Sequence, residues 1–226
     1  MRRCQVLNPG LVEYGKAWEM QRDLFRARSQ NEIIDTFLIL QHPPTYTFGR
    51  RTRAGLAILS EEKIPLNPPS DIYWVDRGGG ATYHGPGQIV GYPIIGLKDY
   101  TADLHVYLRM LEEVMIGVLK DFQIESQRLN GYTGVWVCGE KIGSIGVRVI
   151  RGVTMHGFSL NVNNDLAPFD QIVPCNIRGV RMTSMSRILG TELIIQEVEE
   201  RVTDHFAGVF DVKMERVSNP LQTCRV

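Results

Sequence analysis

The chain has 226 residues, 43% hydrophobic and 22% charged, with 25 basic and 25 acidic side chains that balance to zero. That composition belongs to a globular protein long enough to bury a real core, and it excludes a disordered or collagen-like chain. Zero net charge argues against a surface that binds nucleic acid by neutralising many phosphates, and no apolar run approaches the roughly 20 residues of a membrane-spanning helix.

The N-terminal MRRCQVLNPG lacks the apolar segment of a secretory signal, so a cytoplasmic protein is expected. Cys4, Cys138, Cys175 and Cys224 lie far apart without a C-x-x-C pair, which fits reduced thiols. His42, His84, His105, His156 and His205 form neither H-x-x-x-H nor H-E-x-x-H, so no metal site is expected.

In chain order, Val12 to Arg28 reads as a first helix, followed by an apolar strand at Thr36 to Leu40. A turn at Gln41-His42-Pro43-Pro44 leads to a strand from Thr45 to Phe48. Residues 60 to 71 form a polar, proline-rich excursion. Ile72 to Val75 is strand-like and runs into Arg77-Gly78-Gly79-Gly80, read as a tight glycine-rich loop, and Ile89 to Ile95 is another apolar strand. Asp103 to Phe122 is the clearest helix: Leu104, Leu108, Leu111, Met115 and Val118 recur at spacings of three and four, a stripe assigned to core packing. A β-rich segment spans Thr133 to Val162, and Gln196 to Phe210 closes the chain as a helix. Strands outside a regular strand–helix alternation point to an α+β fold.

Arg151-Gly152 is a two-residue turn between KIGSIGVRVI and VTMHGFSLNV. Pairing back from it sets Ile145 against Phe158, Gly143 against Leu160 and Lys141 against Val162. Lys141 then shares a face with Ile145, Val147 and Val149. Two placements remain open for it: a core-facing ammonium, costly unless paired, or a strand-end lysine whose tip reaches water. From the end of this hairpin only NNDLAPFDQIVP separates the chain from Cys175, so the loop can return that thiol to Lys141.

The glycine cluster RGGGATYHGPGQ, residues 77 to 88, lets a backbone approach a ligand closely. It is neither G-x-G-x-x-G opening a helix nor a G-K-[ST] phosphate loop. With KIGSIG at 141 to 146, HGFSLN at 156 to 161 and Pro174-Cys175, it resembles the lipoyl(octanoyl) transferases. The resemblance extends to QHPPTYTFGR at 41 to 50, GYTGVWV at 131 to 137 and MTSM at 182 to 185, and so covers nearly the whole chain.

The resemblance implies one domain over residues 1 to 226, with the mixed sheet flanked by helices of the biotin and lipoate protein ligases. It implies transfer of an octanoyl group from octanoyl-acyl carrier protein to a lysine of an acceptor. The acceptors would be the lipoyl domains of 2-oxoacid dehydrogenase complexes and the glycine cleavage H protein. By the same carry-over Cys175 forms an acyl-thioester and Lys141 lowers its pKa. The acyl-binding positions are Arg77, Gly78, Gly79, Gly80, Ala81, Thr82, Tyr83 and His84, with Ser144, Ile145, Gly146, Gly157, Phe158 and Ser159. No cofactor, nucleic acid or membrane is implied, and a monomer is expected.

Two positions depart from the family: Asn176 stands where glycine usually follows the nucleophile, and Gln41 where glutamate is common. Asparagine tolerates left-handed backbone better than most residues. His84 and His156 fit slot-shaping better than catalysis, whereas His42, His105 and His205 read as structural or solvent-exposed. An ATP-dependent lipoate–protein ligase shares the fold, but that class resembles G-G-G-x-x-Y-H-D, whereas this chain has Tyr83-His84-Gly85-Pro86. A non-catalytic acyl-carrier-binding module is the second alternative, opposed by the presence of both Cys175 and Lys141. Arg50, Arg51 and Arg53, and Arg178, Arg181 and Arg187, are two local basic clusters for acidic partners or an ordinary solvated surface.

Overall fold

The computed structural model describes residues 1–54, 71–175, 177 and 179–218. The excursion at 60 to 70, Asn176, Arg178, Cys224 and the Arg53 side chain therefore lie outside what is described. The chain starts with β1 (Arg2–Leu7), α1 (Tyr14–Ser29), β2 (Asp35–Leu40) and β3 (Thr45–Phe48). After β4 (Asp71–Trp74) come β5 (Ala81–His84), β6 (Gln88–Ile94), α2 (Leu104–Asp121) and β7 (Val135–Val137). Next are β8 (Glu140–Ile150), β9 (Val153–Asn161), α3 (Met185–Leu189), α4 (Ile195–Phe210) and β10 (Val212–Arg216).

Among the described residues the strands form two sheets. A seven-stranded sheet has the order β10-β1-β2-β6-β9-β8-β7, and a three-stranded sheet the order β4-β3-β5. The large sheet is mixed: β10, β1 and β2 run parallel, and β2 through β7 pair antiparallel. It is helix-flanked, as an α+β chain requires. Strand β2, DTFLIL, shows why. Phe37 and Ile39 enter the core that α2 and α4 cover, whereas Leu38 and Leu40 enter a cluster with Ala17 of α1. Period-two alternation thus feeds two apolar layers, and every residue of the strand is buried.

Helix α2 starts at Asp103, whose side chain accepts a hydrogen bond from the His105 N–H at 2.7 Å. Leu111, Met115 and Val118 from its stripe enter the core, together with Tyr107, Val114 and Leu119. Leu104 and Leu108 do not. Leu104 is exposed and Leu108 half-buried, and both face a cavity described below in place of the core.

Three further differences have physical causes. Ala81–His84, within the glycine cluster and given no element by the sequence, is a strand because β3 supplies partners from Thr45↔His84 to Phe48↔Ala81. Strands β1 and β10 mix charge with apolar residues and pair with each other, so neither carries a clean pattern. The predicted Ile145↔Phe158 and Gly143↔Leu160 pairs form, but Lys141↔Val162 does not. There β8 turns to β7 and to the segment after Cys175: the Lys141 N–H donates to the Arg181 carbonyl, and its own carbonyl accepts from the Thr183 N–H.

The Phe206 ring lies parallel to Phe37 at 4.2 Å between centroids and stacks on Phe210 at 4.2 Å, joining α4 to the sheet. Phe206→Ala is expected to lose about 3–5 kcal/mol of stability in denaturant unfolding. Leu104→Ala, at an exposed position, should lose less than about 1 kcal/mol in the same measurement.

Candidate active site

The hairpin β8–β9 builds one wall. Its register sets Ser144 opposite Ser159, Ile145 opposite Phe158 and Gly146 opposite Gly157, so two triplets distant in sequence become cross-strand neighbours. The Arg77–His84 segment crosses this wall: the Gly78 N–H donates to the Val147 carbonyl at 2.9 Å. Between them is a cavity of about 440 Å³, a volume suited to a small ligand.

The cavity wall holds thirteen of the fourteen acyl-binding positions named above, together with Cys175 and Lys141. Tyr83 is the exception. Strand alternation turns Ala81 and Tyr83 toward an apolar cluster, where the Tyr83 ring meets Phe169 edge-on at 5.6 Å, while Thr82 and His84 line the cavity. The wall also includes Tyr14, Tyr92, Leu104, Leu108 and Tyr132, which the motifs did not single out. Tyr92 could have been flagged as a phenol inside the apolar run Ile89 to Ile95, because a buried hydroxyl must find a partner, whereas Tyr14, between Glu13 and Lys16, carries no such signal. The Tyr92 hydroxyl donates to His42 Nε2 at 2.8 Å, since the other ring nitrogen of His42 carries the proton bonded to the Val12 carbonyl.

Lys141 is 2% exposed, so the core-facing placement is the one realised. Its Nζ donates to the Thr133 carbonyl at 3.0 Å and to Cys175 Sγ at 3.1 Å, and lies 5.5 Å from the centre of the Trp136 ring. Gly134, at φ +119°, leaves the lysine its channel: a Cβ there would come within 2.7 Å of Lys141 Cε.

Cys175 arrives from the other side. Its N–H donates to the Ala81 carbonyl at 2.9 Å, a bridge that hangs the loop on β5. The residue itself has φ +57°, a left-handed backbone, which cysteine, unlike asparagine or glycine, does not advertise in a sequence. Such a conformation costs a non-glycine residue about 1–3 kcal/mol. The Cys175 N–H is thus already bonded, as is that of Gly78 to the Val147 carbonyl, so neither is free to donate into the cavity.

Burial pushes the Cys175 thiol up, but the Lys141 ammonium, with smaller help from Arg77 and Ser144, outweighs it and holds the pKa below the ordinary value of 9.0. The imidazoles go the opposite way. Burial takes His42 down to about 4 and His156 to about 3, and lowers His84 strongly, so all three are neutral at pH 7. His156 then donates from Nε2 to Asp76 at 2.7 Å as a neutral ring, and His84 donates from Nδ1 to Gln88 at 2.7 Å.

Arg77 is 8% exposed and has no carboxylate partner among the described residues; its donors reach the Gly78 carbonyl and the Thr47 carbonyl and hydroxyl. Gln41 also finds a place. Its amide oxygen accepts the Gly87 N–H at 2.9 Å, and its nitrogen lies 3.4 Å from the Glu199 carboxylate, where a glutamate would meet like charge. No group of His, Cys, Asp or Glu among the described residues is arranged to hold a metal ion.

A thiol of lowered pKa beside a buried ammonium, in a cavity on a helix-flanked mixed sheet, is the arrangement of an α+β domain with a nucleophilic cysteine. The model of the lipoyl protein ligase A/B catalytic domain matches residues 13–207. The octanoyltransferase of Rubrobacter xylanophilus is 49% identical over 202 residues, covering 89% of this chain and 90% of its own. Among solved structures, lipoate-protein ligase A bound with ATP superposes with a TM-score of 0.71 at 14% identity, covering 99% of this chain and 92% of that one. Biotin protein ligase from Aquifex aeolicus gives 0.53 at 13% identity, over 93% and 70%. The chain belongs to the octanoyltransferase family, and its fold is that of the lipoate and biotin protein ligase catalytic domains.

Replacing Lys141 by methionine leaves only burial and the smaller contributions acting on the thiol, so the Cys175 pKa should rise past 9.0. At pH 7 the alkylation rate of Cys175 by iodoacetamide is expected to fall at least about tenfold, one pKa unit being a tenfold change in thiolate. Peptide mapping across a pH series measures it; an unchanged rate would show that the ammonium does not activate the thiol.

Proposed function

We propose that the protein transfers an octanoyl group from octanoyl-acyl carrier protein to a lysine of a lipoyl domain, through a thioester on Cys175. The observation that carries this reading is the 3.1 Å contact between Lys141 Nζ and Cys175 Sγ at the wall of the cavity. The Cys175 thiolate attacks the carrier thioester carbonyl, the carbon–sulfur bond to the carrier breaks, and the departing thiolate takes a proton from Lys141. One thioester replaces another, so the step needs no nucleotide. The neutral Lys141 amine then accepts a proton from the acceptor lysine as that amine attacks the acyl carbonyl. The amide forms, Cys175 leaves as thiolate, and the ion pair is restored.

Both transfers pass through an oxyanion, and Arg77 supplies a cation that does not give up its proton under these conditions. An eight-carbon chain brings roughly six methylenes into the slot at ~0.8 kcal/mol each, about 5 kcal/mol in all. Neutral imidazoles and phenols add no charge to the wall, which suits an acyl chain. Lipoyl domains and the glycine cleavage H protein are the acceptors that this reading assigns.

Intact-mass measurement after incubation with octanoyl-carrier protein should show one octanoyl group on the wild-type protein and none on Cys175→Ser. A wild-type mass that stays unchanged would sink the thioester mechanism. Transfer to a lipoyl domain should also proceed without ATP or magnesium; an absolute ATP requirement would favour a ligase.

Arg50 and Arg51 are both exposed, and Arg51 stands on the cavity wall. Reversing both to glutamate should weaken carrier-protein binding several-fold at low salt, with the difference shrinking as salt screens it. Equal binding at low salt would reject that role.

A further inference from the structure

The Lys141 ammonium needs an acceptor besides the thiolate, and the structure shows how that acceptor is held in place. The acceptor is the Thr133 carbonyl, which belongs to the same peptide unit as the Gly134 N–H. That N–H donates to Glu112 Oε1 at 2.9 Å. The peptide is trans, as every described peptide in the chain is, so its N–H and C=O point in opposite directions. A carboxylate pulling on one end therefore aims the other end at Lys141, 3.0 Å away.

Glu112 is fully buried on α2, an unusual position for a carboxylate unless it is paired. Two arginines pair with it: Arg109 NH1 at 2.6 Å and Arg128 Nε at 3.0 Å, both to Oε2. Arg128 also reaches Glu113 at 2.5 Å and the Arg109 carbonyl at 3.2 Å. One oxygen of Glu112 is thus anchored to α2 and to the segment after it, and the other is left for the loop. No residue between Gly131 and Gly134 supplies a charge of its own to hold that loop.

We propose that Glu112 is a positioning residue of this site: through the single peptide unit joining Thr133 to Gly134, it fixes the carbonyl that holds the Lys141 ammonium against Cys175. The carboxylate touches neither the thiol nor the cavity. It acts by keeping one peptide plane from rotating, and its charge polarises that peptide in the sense that favours a cation at the carbonyl end. The arrangement explains why an ionised side chain is kept beneath a loop whose residues are otherwise small or polar.

The inference rests on the Cys175–Lys141 pair, but its readout is the alkylation of Cys175, which needs no acyl donor and so can fail independently of the transferase reading. The charged groups that face the thiol are Lys141 from β8 and Arg77 from the segment before β5; those facing Glu112 are Arg109 and Arg128. Glu112→Gln, which keeps an oxygen for Gly134 but loses the charge, should slow iodoacetamide alkylation of Cys175 at pH 7 by about tenfold, the scale of coupling between contacting residues. The rate profile should move to higher pH.

In a Lys141→Met background the same substitution should change the rate less than twofold, because nothing remains for the Thr133 carbonyl to hold. An equal slowing in both backgrounds, or none in either, overturns the proposal in favour of a purely structural carboxylate. If Glu112→Gln does not fold, Arg128→Gln loosens the carboxylate from outside and is read in the same two backgrounds. A loss confined to the Lys141 background, of about threefold, supports the proposal; a loss common to both overturns it.

Discussion

A buried ammonium organises this molecule. Lysine is almost never fully buried unless it is paired, and an unpaired one costs several kcal/mol in desolvation. Lys141 meets that cost with a carbonyl, a sulfur and an aromatic face, the carbonyl and the ring from one stretch of chain, residues 133 to 136, and the sulfur from the loop at Cys175. Each of those partners is constrained in turn. The carbonyl sits on a peptide held by a buried carboxylate, the sulfur on a loop hung from β5, and Trp136 on the edge strand β7. Removing the ammonium would leave those constraints with nothing to converge on, which is why the β7–β8 turn, the 129–134 loop and the segment after Cys175 all meet here.

The electrostatics of the cavity follow from the same logic. Burial neutralises the three histidines and raises Tyr14, to about 12, and Tyr92, so these groups bring no charge near pH 7 to an acyl chain. Against that neutral background stand, among the described residues, three cations of the wall, the buried Lys141 and Arg77 and the exposed Arg51, with Cys175 the one group there whose lowered pKa favours an opposing charge. Positive charge is in excess whether or not the thiol is ionised. A pocket that develops negative charge on a carbonyl oxygen gains from such an excess, and gains most where solvent is excluded. Of the two buried cations, Lys141 faces the thiol, whereas the donors of Arg77 reach only neutral oxygens.

Much of this was legible in the sequence, and the boundary is instructive. Register from a two-residue turn placed Ile145 opposite Phe158 correctly, because a hairpin's pairing is set locally by its turn. It failed at Lys141↔Val162, because there the partner comes from residues 181 to 183, some forty positions away, and nothing local encodes that. Helical periodicity found α2 to within a residue, yet misassigned Leu104 and Leu108, since periodicity reports which face a residue occupies and not whether core or cavity lies against it. Glu112 lies inside that same helix. Its position, four residues after Leu108 and three before Met115, lies on the apolar stripe, but a carboxylate there reads as a helix-edge charge until its partners are known: Arg128 meets both Glu112 and Glu113, and the Gly134 N–H meets Glu112.

The left-handed backbone of Cys175 belongs with these non-local features. Asparagine and glycine advertise that conformation in a sequence, and cysteine does not. Here the strain is offset by a hydrogen bond from the same residue to Ala81, so the bridge that binds the loop to β5 also holds the thiol in its costly conformation. Strain kept at a reactive group persists only where surrounding contacts over-determine it. The two contacts that do so here, the Ala81 carbonyl and the Lys141 ammonium, come from different strands, β5 and β8, in different sheets, so a displacement of one sheet against the other moves the sulfur relative to the ammonium that activates it.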